Sequence, residues 1–233
     1  MSDVIKLDNH RLLCGNAQVK EDVDKLLDGV QVDLLLTDPP YGINIIEPNK
    51  ETFGKGSVTT GGHYKPVIGD DKPFDPQHLL DLHSPTIIFG ANNFSSKLPD
   101  NSKWIVWLKK PKINGKPSHY SDCELAWTNF KGRKIQCYYH IWRGMIREGE
   151  RRLELKERVH PTQKPVGLLK RLIEEYCPPN GVVLDLYGGS GSTLIACAET
   201  GRTCYMMELS KDYVNIIQER YWNYIDKDQT KLM

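Results

Sequence analysis

Val182-Val183-Leu184-Asp185-Leu186-Tyr187 runs directly into Gly188-Gly189-Ser190-Gly191-Ser192-Thr193, and Leu194-Ile195-Ala196 follows. The β-branched apolar run reads as a buried strand, the glycines as a sharp turn, and residues 193–200 as a helix closed by Gly201. A turn of this kind brings the free N–H groups of a helix N-terminus close to a ligand. No lysine precedes Ser192-Thr193, which excludes a Walker phosphate loop, and Leu194 stands where the third glycine of G-x-G-x-x-G would be. Glu208, 23 residues after Asp185, ends the next strand-like run (203–209) and suits a pair of ribose hydroxyls. The combination marks a nucleoside-containing cofactor and leaves dehydrogenase and methyltransferase chemistry open. The plain structural alternative is a tight strand–helix turn with no ligand.

Working outward, residues 32–37, 86–89 and 104–108 read as further buried strands. Residues 165–176 place Leu168, Leu169, Leu172, Ile173 and Tyr176 on one helical face, and a last helix over 210–225 has Ser210 as its N-cap. Strand alternating with helix indicates parallel α/β units. The stretch 84–142 carries more strand than helix signals and reads as the antiparallel or mixed side of the same sheet. The 233 residues suit a single domain, 1–233. Residues 44–66 break the pattern with four glycines and two prolines, as a lid or substrate-gripping loop would.

Composition removes several classes. A mean hydropathy of −0.50 and the lack of a long apolar run argue against a membrane span, and the N-terminal residues show no secretory pattern. Six scattered cysteines without a CxxC pair argue against a metal site or disulfide framework and for reduced thiols in a cytoplasm. Net charge is only +1, yet residues 97–164 hold 16 Lys/Arg against 7 Asp/Glu. That leaves −8 for the remainder. A basic middle third is what a polyanion-binding face requires, although a solvated lysine-rich surface has the same composition. Its aromatics, Trp104, Trp107, Trp127, Tyr138, Tyr139 and Trp142, mostly sit in strand-like alternation and read as core rather than base-stacking platforms.

The strand at 32–37 ends in Asp38-Pro39-Pro40-Tyr41. An Asp-capped proline turn explains the prolines but not the acid, rigid carbonyl and aromatic set side by side. Alkylation of an exocyclic amine explains all four. The lone pair of such an amine is delocalised into the base. A carboxylate accepting one amine hydrogen and the Pro39 carbonyl accepting the other favour a pyramidal nitrogen, while Tyr41 stacks on an extruded base. Positioning and electrostatics then suffice, with no covalent enzyme nucleophile.

These stretches, taken with His160-Pro161-Thr162-Gln163-Lys164-Pro165, resemble the DNA amino-methyltransferases of the permuted (β) class, in which the catalytic motif precedes the cofactor motif. Segments around 89–93 and 123–128 resemble phage and prophage adenine methylases. The resemblance implies a Rossmann-like methyltransferase fold with a mostly parallel, doubly wound sheet and an antiparallel strand near one edge. It implies S-adenosylmethionine as cofactor and the N6 amine of adenine in double-stranded, base-flipped DNA as target. It assigns Asp38, Pro39, Pro40 and Tyr41 to the base. Thr162, Lys164 and Pro165 fall at the methionine end of the cofactor. Asp185, Tyr187, Gly189, Ser190, Gly191, Ser192 and Thr193 surround its centre, with Glu208 and Leu209 at the ribose and Asp38 bordering it.

Leu186 replaces the family's usual proline, and Asn16, followed by Ala17, stands where an acid contacts the cofactor adenine. The Asn16 side-chain carbonyl is still an acceptor. Lys131, Arg133, Lys134, Arg143 and Arg147 are the expected DNA face, within a small target-recognition region over about 131–159. A reader this small implies a short target or help from a partner, for which a homodimer is one form. Asp at the head of the catalytic motif resembles adenine-modifying members, whereas Ser is commoner in cytosine-N4 enzymes, which stay the alternative together with a non-catalytic DNA-binding homologue. A dehydrogenase would leave two motifs without a role. Restriction–modification and phage settings both fit.

Overall fold

A computed structural model describes residues 3–43, 68–109, 121–132, 134–143, 146–147 and 163–231. The expected loop at 44–66 lies outside the described residues, as do Thr162, Arg133 and most of 131–159.

Nine strands form one sheet: β1 (Ile5–Leu7), β2 (His10–Cys14), β3 (Leu34–Thr37), β4 (Thr86–Phe89), β5 (Trp104–Leu108), β6 (Cys123–Thr128), β7 (Gln136–Tyr139), β10 (Val182–Asp185) and β11 (Thr203–Glu208). A separate hairpin pairs β8 (Trp142–Arg143) with β9 (Ile146–Arg147). The spatial order is β1-β2-β11-β10-β3-β4-β6-β5-β7. Five neighbours from β2 to β4 run parallel. Only β6 and the edge strand β1 run against the rest, so the sheet carries a second reversed strand beyond the one expected. β3 and β10 pair directly, Val183 opposite Leu34 and Leu184 opposite Leu35.

The central strands are apolar on both faces because both faces are covered. Leu34 and Leu36 of β3, Ile87 and Phe89 of β4 and Val183 of β10 share one core layer with helices Val166–Tyr176, Ser192–Thr200 and Lys211–Lys231. Leu35, Ile88 and Leu184 point into the other, against helices Lys20–Leu27 and Gln77–Leu80. This is a doubly wound sheet. The last helix starts directly after Ser210, as expected, but runs on to Lys231. Trp107, Trp127 and Tyr138 are buried and Trp104 and Trp142 pack at the core margin, whereas Tyr139 is exposed. Among the described residues no helix is long and apolar enough to cross a membrane.

Candidate active site at the carboxyl edge of the sheet

β3, β10 and β11 deliver their C-terminal residues to one edge, so Asp38, the turn at 188–191 and Glu208 converge although they lie far apart in sequence. Thr37 Oγ1 donates to Asp185 Oδ1 at 2.8 Å and ties the two turns together. The same oxygen accepts the Tyr187 N–H at 3.1 Å. Burial pushes the Asp185 carboxyl up to about 6, although the hydroxyls of Thr193 and Thr37 and the Tyr187 N–H oppose it.

Glu208 Oε2 accepts the Gly189 N–H and Oε1 the Ser210 N–H, both at 2.8 Å. Burial raises this carboxyl too, against those two N–H groups. Gly191 has φ +79°, and a β-carbon there would lie 3.1 Å from Ile217, so the turn is closed against the last helix. From that helix Arg220 donates to the Ser190 carbonyl at 2.8 Å and reaches the Ser190 and Ser192 hydroxyls at 3.2 Å. Ser190, Ser192 and Thr193 are buried, and Leu209 is 48% exposed. Leu186, in place of the family's proline, is buried in the core. The Tyr187 hydroxyl meets His78 Nε2 at 2.8 Å.

Beside this turn the strand β2 leads into Asn16 and Ala17. Asn16 Oδ1 already accepts the Gln18 N–H at 3.0 Å, which makes it part of a local turn. The carboxylate here is Asp22, from the first turn of helix Lys20–Leu27, which accepts the Asn16 N–H at 2.9 Å. A carboxylate thus stands beside Asn16, on a residue the motif does not point to.

Pro39 is buried, and Asp38, Pro40 and Tyr41 are half-buried. The Tyr41 hydroxyl donates to Asp38 Oδ1 at 2.5 Å. The Lys164 ammonium pairs with Asp38 Oδ2, approaches the Tyr41 hydroxyl at 3.3 Å and lies 3.3 Å from Glu124 Oε2. Lys109 holds the other Glu124 oxygen at 2.5 Å. Lys164 also sits 5.2 Å from the ring centre of Phe89. Burial alone would lower the Lys164 ammonium, but Asp38, Glu124 and Tyr41 together hold it well above the usual lysine range, so it stays charged. Burial raises the Asp38 carboxyl, with Lys164 pulling it back. For Glu124 burial is overcome by its two lysines and the carboxyl titrates low.

Gly90, at φ +68°, ends β4 under Tyr41; a β-carbon there would lie 1.8 Å from the Tyr41 ring. The backbone of one strand end is therefore the floor on which the aromatic rests.

Sequence reading missed the roles of Glu124, Lys109, Asp22 and Arg220. A lone charge inside an apolar strand was the available signal for Glu124. Lys164, expected at the methionine end of a cofactor, pairs with Asp38. Pro165 is buried at the cap of helix Val166–Tyr176.

The expected DNA face divides. In β6, antiparallel to β4, Ala126 lies opposite Phe89 and Thr128 opposite Ile87, so the chain leaves β6 at the amino edge. Gln136 of β7 pairs with Ile105 at the start of β5, on that same edge. Lys131 and Lys134, between β6 and β7, therefore lie a strand length, roughly 20 Å, from the edge that carries Asp38. They are exposed, at the amino edge of the sheet. β7 returns the chain to the carboxyl edge. There the Trp142 N–H donates to the Lys109 carbonyl at 3.2 Å, and Arg143 and Arg147 follow in the hairpin.

A family model described as DNA methylase, of the N6 and N4 type, matches residues 81–219. The type II methyltransferase M.ScaI of Streptomyces caespitosus is 25% identical over 226 residues, covering 79% of this chain and 73% of that protein. Several other relatives align over less than half of their own length. Among solved structures, the PvuII DNA methyltransferase (cytosine-N4-specific) superposes with a TM-score of 0.56 at 13% identity, over 95% of this chain and 93% of that one. M1.HpyAVI in complex with SAM superposes with a TM-score of 0.52 at 22% identity, over 90% and 98%. At these identities the structural likeness establishes the fold.

Proposed function

The chain belongs to the DNA methylase family of N6 and N4 type, and on that footing we propose that it transfers a methyl group from S-adenosylmethionine to the N6 amine of adenine in double-stranded DNA. The observation that carries this reading is the convergence at one sheet edge of Asp38, half-buried and charge-paired, with a glycine turn whose leading carboxylate, Asp185, is held by Thr37, the residue before Asp38. Adenine rather than cytosine rests on the acid that opens the catalytic motif.

The donor set suits the cofactor. Asp185, Glu208 and Asp38 supply negative charge near a cation, and Glu208 keeps acceptor capacity for ribose hydroxyls while Gly189 and Ser210 hold it in place. S-adenosylmethionine, when bound, supplies an electrophilic methyl on a sulfonium. Tyr187, Gly189, Ser190, Gly191, Ser192 and Thr193 would form the turn around it, with Leu209 beside the ribose and Pro165 and Thr162 toward the methionine. Asn16 and Ala17, with Asp22 behind them, would border the adenine. The cofactor motif following the catalytic one in sequence fits the permuted class.

At the other side of the edge the chain's own residues do the work on the target. Tyr41, seated on Gly90, offers its ring to an extruded base; the stacked amine is out of reach in a duplex, so flipping is part of the reading. Asp38 and the Pro39 carbonyl accept the two amine hydrogens and turn the nitrogen lone pair toward the methyl. Arg143 and Arg147, on the carboxyl edge, hold phosphates. A second copy of the chain would extend this small reader.

The test is incubation with labelled S-adenosylmethionine and unmethylated duplex DNA, followed by nucleoside analysis. Label in N6-methyladenine is the expected result. Label in N4-methylcytosine overturns the adenine assignment, and no label overturns transfer to DNA.

A further inference from the structure

In the structure both Asp38 oxygens already accept: Oδ1 from the Tyr41 hydroxyl and Oδ2 from the Lys164 ammonium. An amine hydrogen must share one of them with the donor already there, and the phenol is held in place by the close seat of its ring on Gly90. Lys164 is the donor that has somewhere to go. Glu124 Oε2 is buried and lies 3.3 Å from Lys164 Nζ, in an ion pair without a well-aligned hydrogen bond. It stands as an acceptor that Lys164 can engage more fully. Its orientation is fixed. Lys109 grips Oε1 at 2.5 Å, and β6 is pinned between β4 and β5 with Glu124 opposite Trp107.

We propose that Glu124 is a positioning residue that provides Lys164 with a second seat: the ammonium rests on Asp38 in the empty site and shifts onto Glu124 Oε2 when the target amine arrives. This rests on the methyl-transfer reading above. The shift is short and conserves charge, because Lys164 stays between the same two carboxylates. It leaves Asp38 Oδ2 open at the moment the base needs it. As the nitrogen lone pair forms the C–N bond and the donor's C–S bond breaks, the nitrogen sheds one proton, and the vacated Asp38 carboxylate accepts it. The nearby Lys164 then favours return of that proton to water by restoring the ion pair. In the absence of a base, the ammonium keeps the Asp38 carboxylate charge-paired.

The test is Glu124→Gln in the full chain, which keeps the shape and removes the charged seat. Methyl transfer is followed with unmethylated plasmid DNA and S-adenosylmethionine. A fall in kcat of roughly tenfold or more, with KM for DNA nearly unchanged, is expected, and Glu124→Asp restores part of it. The second readout needs no cofactor: the side-chain carboxyl of Asp38 is titrated by carbon NMR, assigned by its loss in Asp38→Asn. The groups facing Asp38 are Lys164, Tyr41, Glu124 and Asp185, with Lys109 behind Glu124. Removing the Glu124 charge lowers that titration in itself, so the discriminating readout is its response to added duplex DNA. In the wild type the duplex should raise the Asp38 titration as Lys164 moves to Glu124, and Glu124→Gln should lose this rise, whereas a purely structural Glu124 would leave the rise equal in the two proteins. Wild-type kcat in Glu124→Gln, or an equal DNA-induced rise in both proteins, overturns the inference while the methyl-transfer reading stands. A wild-type protein that methylates no DNA overturns both.

Discussion

Asp38 and Lys164 stand 126 residues apart in the chain and form an ion pair at the carboxyl edge of the sheet. The pair joins the catalytic motif to the segment before helix Val166–Tyr176, so an acid read as a base-binding group and a lysine read as a cofactor neighbour belong to one unit. Asp38→Ala removes the acceptor for the target amine but leaves Lys164 its second carboxylate, Glu124. We expect methyl transfer to fall by about 10²–10⁴-fold or more, with S-adenosylmethionine binding retained in calorimetric titration. Full transfer by this variant would sink the mechanism.

Gly90→Ala drives a methyl into the Tyr41 ring and strains a positive φ. A cost of about 1–3 kcal/mol in denaturant unfolding is expected, with loss of transfer as Tyr41 is displaced. Gly29 is the control, since its φ is +77° and its surroundings are open. Gly29→Ala should cost about 1 kcal/mol and keep full activity. Equal effects of the two changes would show that the Tyr41 seat is not what matters.

The topology also separates the basic residues. Arg143→Ala and Arg147→Ala, at the carboxyl edge, should each weaken duplex binding and flatten its salt dependence by about one unit of slope. Lys131→Ala and Lys134→Ala, at the amino edge, should do neither. Fluorescence anisotropy at several salt concentrations reads both. If the lysines matter and the arginines do not, the duplex lies on the other edge and the site is misplaced.

His10 gives the fold a pH limit independent of catalysis. Its Nδ1 accepts the Cys204 N–H at 2.9 Å, which only the neutral ring allows. Burial lowers its pKa from the usual 6.5 to about 4, with Asp8 opposing. The unfolded chain thus gains a proton below about pH 6.5 that the folded chain refuses until about pH 4. Stability from this group is complete above that window and falls through it, by roughly 3 kcal/mol in total. Urea unfolding of the wild type and His10→Asn should converge as pH drops from 7 to 4; parallel curves would refute the assignment.

The parallel half of the sheet was readable because its signals are local. An apolar run followed by glycine and a helix, as at 182–200, needs no distant partner to be recognised. Helix Lys20–Leu27 was not, since its N-cap makes no side-chain hydrogen bond and only Val23 and Leu26 are buried. The base-side motif was legible from Asp38 to Tyr41, but its electrostatics were not. Glu124 and Lys109 meet only through the antiparallel register of β5 and β6, and the Asp22 carboxylate reaches Asn16 only through the fold of the intervening turn. The same reversal of β6 separates Lys131 from Arg143, which share a basic segment in sequence and opposite edges in space. Composition registers how much charge a segment carries. It does not register on which side of a sheet the segment ends.

The pairing of β3 with β10 sets Leu34 and Leu35 beside Val183 and Leu184. During synthesis the strand that leads into Asp38 therefore waits, with one flank unpaired, until β10 has left the ribosome. Contacts of such long sequence separation form late, because loop closure must precede them. A chain interrupted before β10 would hold the catalytic motif without its neighbouring strand, its Asp185 bridge or its cofactor turn. The two turns at the carboxyl edge are thus brought together only once β10 has docked against β3.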